Sequence, residues 1–201
     1  MTDRTTTDGL DAERAQLFAL LGRLLAAPPD AALLARLRDL PLGAAAGETP
    51  LGRCLAGLAE ASAAADPATV EREFFDLFIG VGRGELLPYA SWYLTGFLHE
   101  RPLAELRAEL RRLGVERAPG TAEPEDHIAF ECEVLSGLIA GSFPGAAEGE
   151  AGGFFARHLR PWAGRFFADL EGAQAARFYR AVAALGRTAV EIEQAAAELP
   201  G

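Results

Sequence analysis

Apolar residues recur along this chain at helical spacing. Between Leu10 and Ala26 the stripe Leu17, Leu20, Leu21, Leu24 and Leu25 follows i, i+3, i+4, i+7, i+8, one face of a helix. Pro28-Pro29 stops it, because proline lacks the donor a helix needs. Asp30 is placed to cap a short helix bearing Leu33, Leu34, Leu37 and Leu40. Leu51, Leu55 and Leu58 are in register on an Ala-rich segment from Leu51 to Ala65. Asp66-Pro67 then reads as a cap followed by proline at the first helical position. The helix it opens carries Val70, Phe74, Leu77 and Phe78.

A glycine-rich break, Gly80 to Pro88, precedes an aromatic segment, Tyr89 to His99, that reads as helix. Pro102 to Leu113 repeats Leu103, Leu106, Leu110 and Leu113 before Gly114 ends it. Glu123-Pro124 is expected to open a helix running to about Gly141. Ser142 to Gly153 reads as a loop. Phe154 to Leu159, Trp162 to Leu170, and Ala173 to about Leu199 complete the helical pattern. No run alternates with period two long enough for a strand. The fold class expected is therefore all-α, a bundle of roughly nine or ten helices in two halves joined by a hinge loop. The division expected is 1–114 for the N-terminal half, 115–123 for the hinge and 124–201 for the C-terminal half, together one integrated domain.

Composition narrows the function. The 201 residues are 50% hydrophobic, enough for a full core. Lys plus Arg number 19 against 29 Asp plus Glu, a net charge of −10. That sign repels phosphate backbones and anionic lipid, so neither nucleic acid nor a membrane surface is the expected partner. A cationic or amphipathic partner fits better. All basic residues are Arg, which excludes a Schiff-base or P-loop lysine. Cys54 and Cys132 form no CxxC and fit a reducing compartment. Met1 to Gly9 lacks an apolar h-region, so no secretory signal is expected. The longest uncharged run, Val134 to Ala147, is too short to span a bilayer.

Four segments carry candidate chemistry. Gly80-Val81-Gly82-Arg83-Gly84 superficially resembles a phosphate-binding turn, but a helix precedes it and no lysine follows. It reads as a flexible helix–helix connection. Leu86-Leu87-Pro88-Tyr89-Ala90-Ser91-Trp92-Tyr93 packs three large aromatics into five residues. Such residues suit either a peptide groove or a core stripe. In Glu123-Pro124-Glu125-Asp126-His127 three carboxylates are expected in the first helical turn, favoured by the helix dipole. Asp126 with His127 can also orient main-chain groups, bind a cation or act as an acid–base pair. His127 and Glu131 stand i, i+4, the spacing of a two-ligand metal face. No HExxH, Glu-x-x-His or second histidine cluster accompanies them, so no metal is expected. His158, amid Phe154, Phe155 and Trp162, reads as a packed, hydrogen-bonded core residue.

Three of these segments, in order, resemble the TorD/DmsD family of redox-enzyme maturation chaperones. Glu73-Phe74-Phe75-Asp76-Leu77-Phe78-Ile79-Gly80, running on to Leu87-Pro88-Tyr89-Ala90-Ser91-Trp92-Tyr93, is similar to that family's "YxxLFxG … LPPYESVY". Glu123 to His127 matches its E-P-x-D-H hinge motif, and Phe155 to Trp162 its "F…HL.PW" segment. Ala90 stands where the family often has Glu, and Trp92 where a smaller residue is common. The resemblance implies a cytoplasmic, non-enzymatic chaperone. Its partner would be the apo form of a molybdopterin-dependent oxidoreductase and that client's twin-arginine signal peptide, bound before cofactor insertion and export. It implies peptide contacts at Leu87, Pro88, Tyr89, Trp92 and Tyr93, polar contacts at Glu123, Asp126 and His127, and an angle fixed by Pro124. No catalytic residue, metal, nucleotide or other cofactor is expected, and a homodimer is allowed. Two alternatives stand beside this one. The first is a NarJ-like assembly chaperone for a molybdoenzyme subunit that is not exported. The second is an enzyme using Asp126 and His127 as its acid–base pair.

Overall fold

The computed structural model describes residues 4–43, 46–116, 123–147 and 149–198. Among them ten α-helices and no named strand are found, so the fold is all-α. The chain forms two compact units, each drawn from two stretches: 1–26 with 88–162, and 27–87 with 163–201. The hinge expected at 115–123 falls within the span of the first unit, and its residues 117–122 lie outside the described residues.

The first unit is built on α1 (Arg4–Ala26) and α7 (Ile128–Ile139), which lie along each other. Phe18, Leu21, Leu24 and Leu25 are buried on α1, and Ile128, Cys132 and Leu135 on α7, the stripes that helical spacing predicts. Gly22 permits the close approach: a Cβ there would stand 2.8 Å from the Glu133 side chain and 3.1 Å from the Ala129 carbonyl. Ser136 Oγ donates to the Ala15 carbonyl at 2.8 Å, pinning the same pair. The unit also contains α5 (Ala90–Thr95), α6 (Arg101–Leu113) and α8 (Glu150–Phe154), which continues as a wider π turn over Phe155–Leu159. Helix α5 is shorter than expected because Gly96 takes a left-handed conformation after Thr95, the usual helix stop. Helix α8 starts at Glu150, where a loop was expected to run to Gly153.

The second unit contains α2 (Ala31–Arg38), α3 (Pro50–Ala64), α4 (Pro67–Phe74), α9 (Ala163–Gly172) and α10 (Phe178–Glu198). Asp30 and Asp66 cap α2 and α4 as expected, accepting from Leu33 N and Thr69 N. Helix α10 starts at Phe178, five residues later than expected, because two carboxylates hold the segment before it. Glu85 accepts from the Gln174 and Ala175 N–H groups. Glu73 accepts from the N–H groups of Arg177, Phe178 and Tyr179 at 2.7–3.1 Å, so a side chain from α4 caps α10. Tyr179 packs against Phe74 and Phe78 with ring centroids 5.8 and 5.5 Å away.

The glycine-rich break between Gly80 and Pro88 is closed rather than slack. Glu85 N donates to Asp76 O at 3.1 Å and Leu86 N to Leu77 O at 2.8 Å. Gly80 has φ +62°, and a Cβ there would lie 2.1 Å from the Arg83 carbonyl oxygen. Only glycine fits that position.

Candidate functional site

In the first unit, two segments 36 residues apart are sewn together by backbone. Tyr89 and His127 form an isolated antiparallel bridge. Ala90 N donates to the Asp126 carbonyl at 2.8 Å, and Ile128 N to the Pro88 carbonyl at 2.9 Å. This pairing corrects the expected helix start. The Asp126 carbonyl is committed to Ala90, so Glu123, Glu125 and Asp126 precede the helix in a turn closed by His127 N donating to Pro124 O at 3.2 Å. His127 is the N-cap, and α7 begins at Ile128. Pro124 thus opens a turn, not a helix.

The side chains complete the join. Tyr89, at the N-cap of α5, offers no side-chain cap. The buried Asp126 supplies one instead, its carboxylate accepting from Ser91 N at 2.9 Å. The Tyr89 ring meets the His127 ring edge-on at 5.1 Å, and its hydroxyl donates to the exposed Glu123 carboxylate. Burial, then Glu123 and Asp126, push the Tyr89 phenol above its usual range, so it remains a donor. Glu125 is tied to α6 through Arg107 at 2.7 Å.

His127 Nδ1 accepts from Ala129 N at 3.1 Å. Its ring proton therefore sits on Nε2. Desolvation lowers the imidazole to about 4, against the opposing pull of Glu123 and Asp126. The ring is neutral at neutral pH. The Asp126 and His127 side chains are thus each engaged with a different backbone N–H.

The remaining sequence candidates separate by burial. Pro88 and Tyr93 are buried, the latter with its ring 5.4 Å from that of Trp162. Trp92 is half-buried on α5. Leu87 is half-buried and belongs to the other unit's stretch. Sequence reasoning missed the end of α5 and the turn after it, where Phe97 is 70% exposed and Leu94 and Leu98 are exposed as well. The Thr95 hydroxyl holds this turn, donating to Ser91 O at 2.8 Å and accepting from Phe97 N at 3.2 Å. The signal was available: three large apolar residues flank a glycine at the end of an aromatic helix.

Glu131, read from sequence as one half of a two-ligand spacing, is fully buried and accepts from Trp162 Nε1 at 3.1 Å. Among the described residues no group of three or more His, Cys, Asp and Glu is arranged to hold a metal ion. His158 is buried and bonded to Glu109 at 2.7 Å, the packed role expected of it. Burial opposes ionisation of Glu109, but hydrogen bonds and charge from Arg157 and His158 outweigh it and lower the carboxyl to about 2. No helix among the described residues is long and apolar enough to cross a membrane.

Comparison with known proteins places this geometry in context. Residues 44–168 match the family described as Nitrate reductase delta subunit. The chain is similar to Chaperone protein TorD of Aliivibrio fischeri, 38% identical over 69 residues, 33% of this chain and 32% of that protein. It is 30% identical over 130 residues to Chaperone protein TorD of Aliivibrio salmonicida, 60% of each chain. It therefore spans from about a third to 60% of the length of these curated relatives. Among solved structures it resembles a chain described as a redox enzyme maturation protein from Archaeoglobus fulgidus. The TM-score is 0.57 at 21% identity, covering 89% of this chain and 93% of that one; this likeness concerns the fold.

Proposed function

We propose, on the premise that this chain belongs to the nitrate reductase delta subunit family, that it is a maturation chaperone without turnover. Its client is the apo form of a molybdopterin-dependent oxidoreductase, and the first unit receives that client's twin-arginine signal peptide. The relatives' name, Chaperone protein TorD, supports the class.

The observation that carries the site is the Tyr89–His127 bridge. It sets an aromatic segment and an acidic turn side by side, which is what a peptide with adjacent cations and an apolar stretch requires. The exposed Glu123 carboxylate faces the cations, in a protein whose net charge of −10 attracts them. Trp92 and the Leu94–Phe97–Leu98 turn offer the apolar stretch its contact area. Pro88, Tyr93 and Asp126, being buried, act by holding α5 and the turn in place. His127 serves as a neutral cap with one N–H to donate. Pro124 fixes the turn. Recognition before export sets the working compartment as the cytoplasm, and cofactor insertion follows while the client is held.

A second reading is favoured by the description of the matching family: a NarJ-like assembly chaperone whose client stays inside the cell. Calorimetric titration with a synthetic twin-arginine leader peptide separates the two. Saturable heat that disappears when both arginines are replaced by glutamine supports the exported client. No heat at high micromolar peptide overturns it in favour of the second reading.

A further inference from the structure

One turn into α7 from His127, Glu131 has no exposed surface, and its neighbours Ile128, Ala129, Cys132, Val134 and Leu135 are buried with it. Its Oε2 accepts a single neutral donor, Trp162 Nε1 at 3.1 Å. Its Oε1 is buried and has no hydrogen-bond partner among the described residues. An ionised carboxylate presents about four lone-pair sites, and a buried charge needs a cation or several donors to be tolerated. Among the described residues Glu131 has neither. The charge that bears on it is Asp126's, and it has the wrong sign.

The two carboxylates are unequal. Asp126 sits in the turn before α7 and takes a backbone N–H from Ser91 at 2.9 Å. The Ser91 hydroxyl is itself buried and has no partner among the described residues. Around Glu131 the other groups are an indole N–H from the segment after Leu159, the neutral Cys132 thiol on its own helix, and the neutral His127 imidazole at the cap.

We propose that Glu131 carries a proton at neutral pH, and that its ionisation at higher pH is a built-in weakness of the first unit, acting against Asp126 and the α5 cap that Asp126 supplies. Burial and the Asp126 charge both raise the Glu131 carboxyl, outweighing the Trp162 bond. A carboxyl raised in the folded state contributes stability that is complete below its unfolded value and is lost as pH rises through its folded value. The proton on Glu131 does not depend on what the first unit binds.

Infrared spectroscopy of the whole chain with isotope-labelled glutamate tests this, alongside Glu131→Gln, which mimics the neutral acid in shape. At about pH 7 the wild type should show the carbonyl stretch of a protonated carboxylic acid, and the variant should lack it. As pH rises above the ordinary carboxyl value of 4.5, the wild type should lose about 3–5 °C of Tm relative to Glu131→Gln for each pH unit until the folded carboxyl ionises. Absence of the protonated band at neutral pH overturns the proposal, and so do parallel melting profiles. If the variant does not fold, the wild-type band alone decides.

Discussion

At the scale of single residues, side chains far apart in sequence finish each other's helices. Glu73 accepts three N–H groups at the start of α10, and Asp126 accepts one at the start of α5. Replacing Glu73 by Ala should cost about 2–3 kcal/mol, the worth of charge-assisted bonds to a helix end, read as a shift in urea midpoint. The cap at His127 has a pH signature. Its folded value of about 4 lies below its ordinary 6.5, so the unfolded chain binds the extra proton first. Stability is then present above about pH 6.5 and lost as pH falls towards about 4. His127→Asn keeps an oxygen to cap α7 and should flatten that acid limb of the urea midpoint against pH. A variant that kept the wild-type slope would show that another group titrates there. Neither Glu73 nor Asp126 was legible as a distal cap in the sequence, because the helix each one caps is brought to it only by the fold.

At the scale of elements, the helices were legible because their apolar residues repeat at 3.6 and their caps are local. Asp30, Asp66, Pro67 and Gly114 all mark boundaries where the sequence places them. The turn at 123–127 was misread for the opposite reason. Proline followed by acidic residues looks like a first helical turn, but the Asp126 carbonyl is taken by Ala90, a partner 36 residues away. Local pattern holds no record of such a pairing. Close packing makes its own prediction. A Cβ at Gly186 of α10 would lie 2.1 Å from the buried Phe167 ring, so Gly186→Ala should cost about 1–3 kcal/mol by overpacking, measured by thermal melting. At Gly80, alanine meets both a positive φ and the Arg83 carbonyl, and a similar loss of about 1–3 kcal/mol is expected.

At the scale of the whole molecule, charge and exposed apolar surface bear on the proposed partner. A chain of net charge −10 that binds a cationic leader should bind it less tightly as salt rises, since screening acts on exposed charges. Trp92→Ala should weaken binding more than any single exposed charge change, because aromatic anchors dominate peptide interfaces. Calorimetry over a salt series checks both, and equal losses from the two kinds of variant would instead mean a diffuse electrostatic encounter. The all-α class and the motif order were readable from the chain. Its division into two units, each assembled from separated stretches, was not, since contacts between distant segments leave no mark in a sequential reading.

Tyr89–Tyr93 and Glu123–Ile128 are proposed to work as one peptide site. Hydrogen–deuterium exchange of the full chain, with and without saturating twin-arginine peptide, tests it most directly. Both segments, together with the Leu94–Leu98 turn, should gain protection at the same peptide concentration. Peptide that binds measurably while these three segments exchange unchanged, and others slow instead, would contradict it.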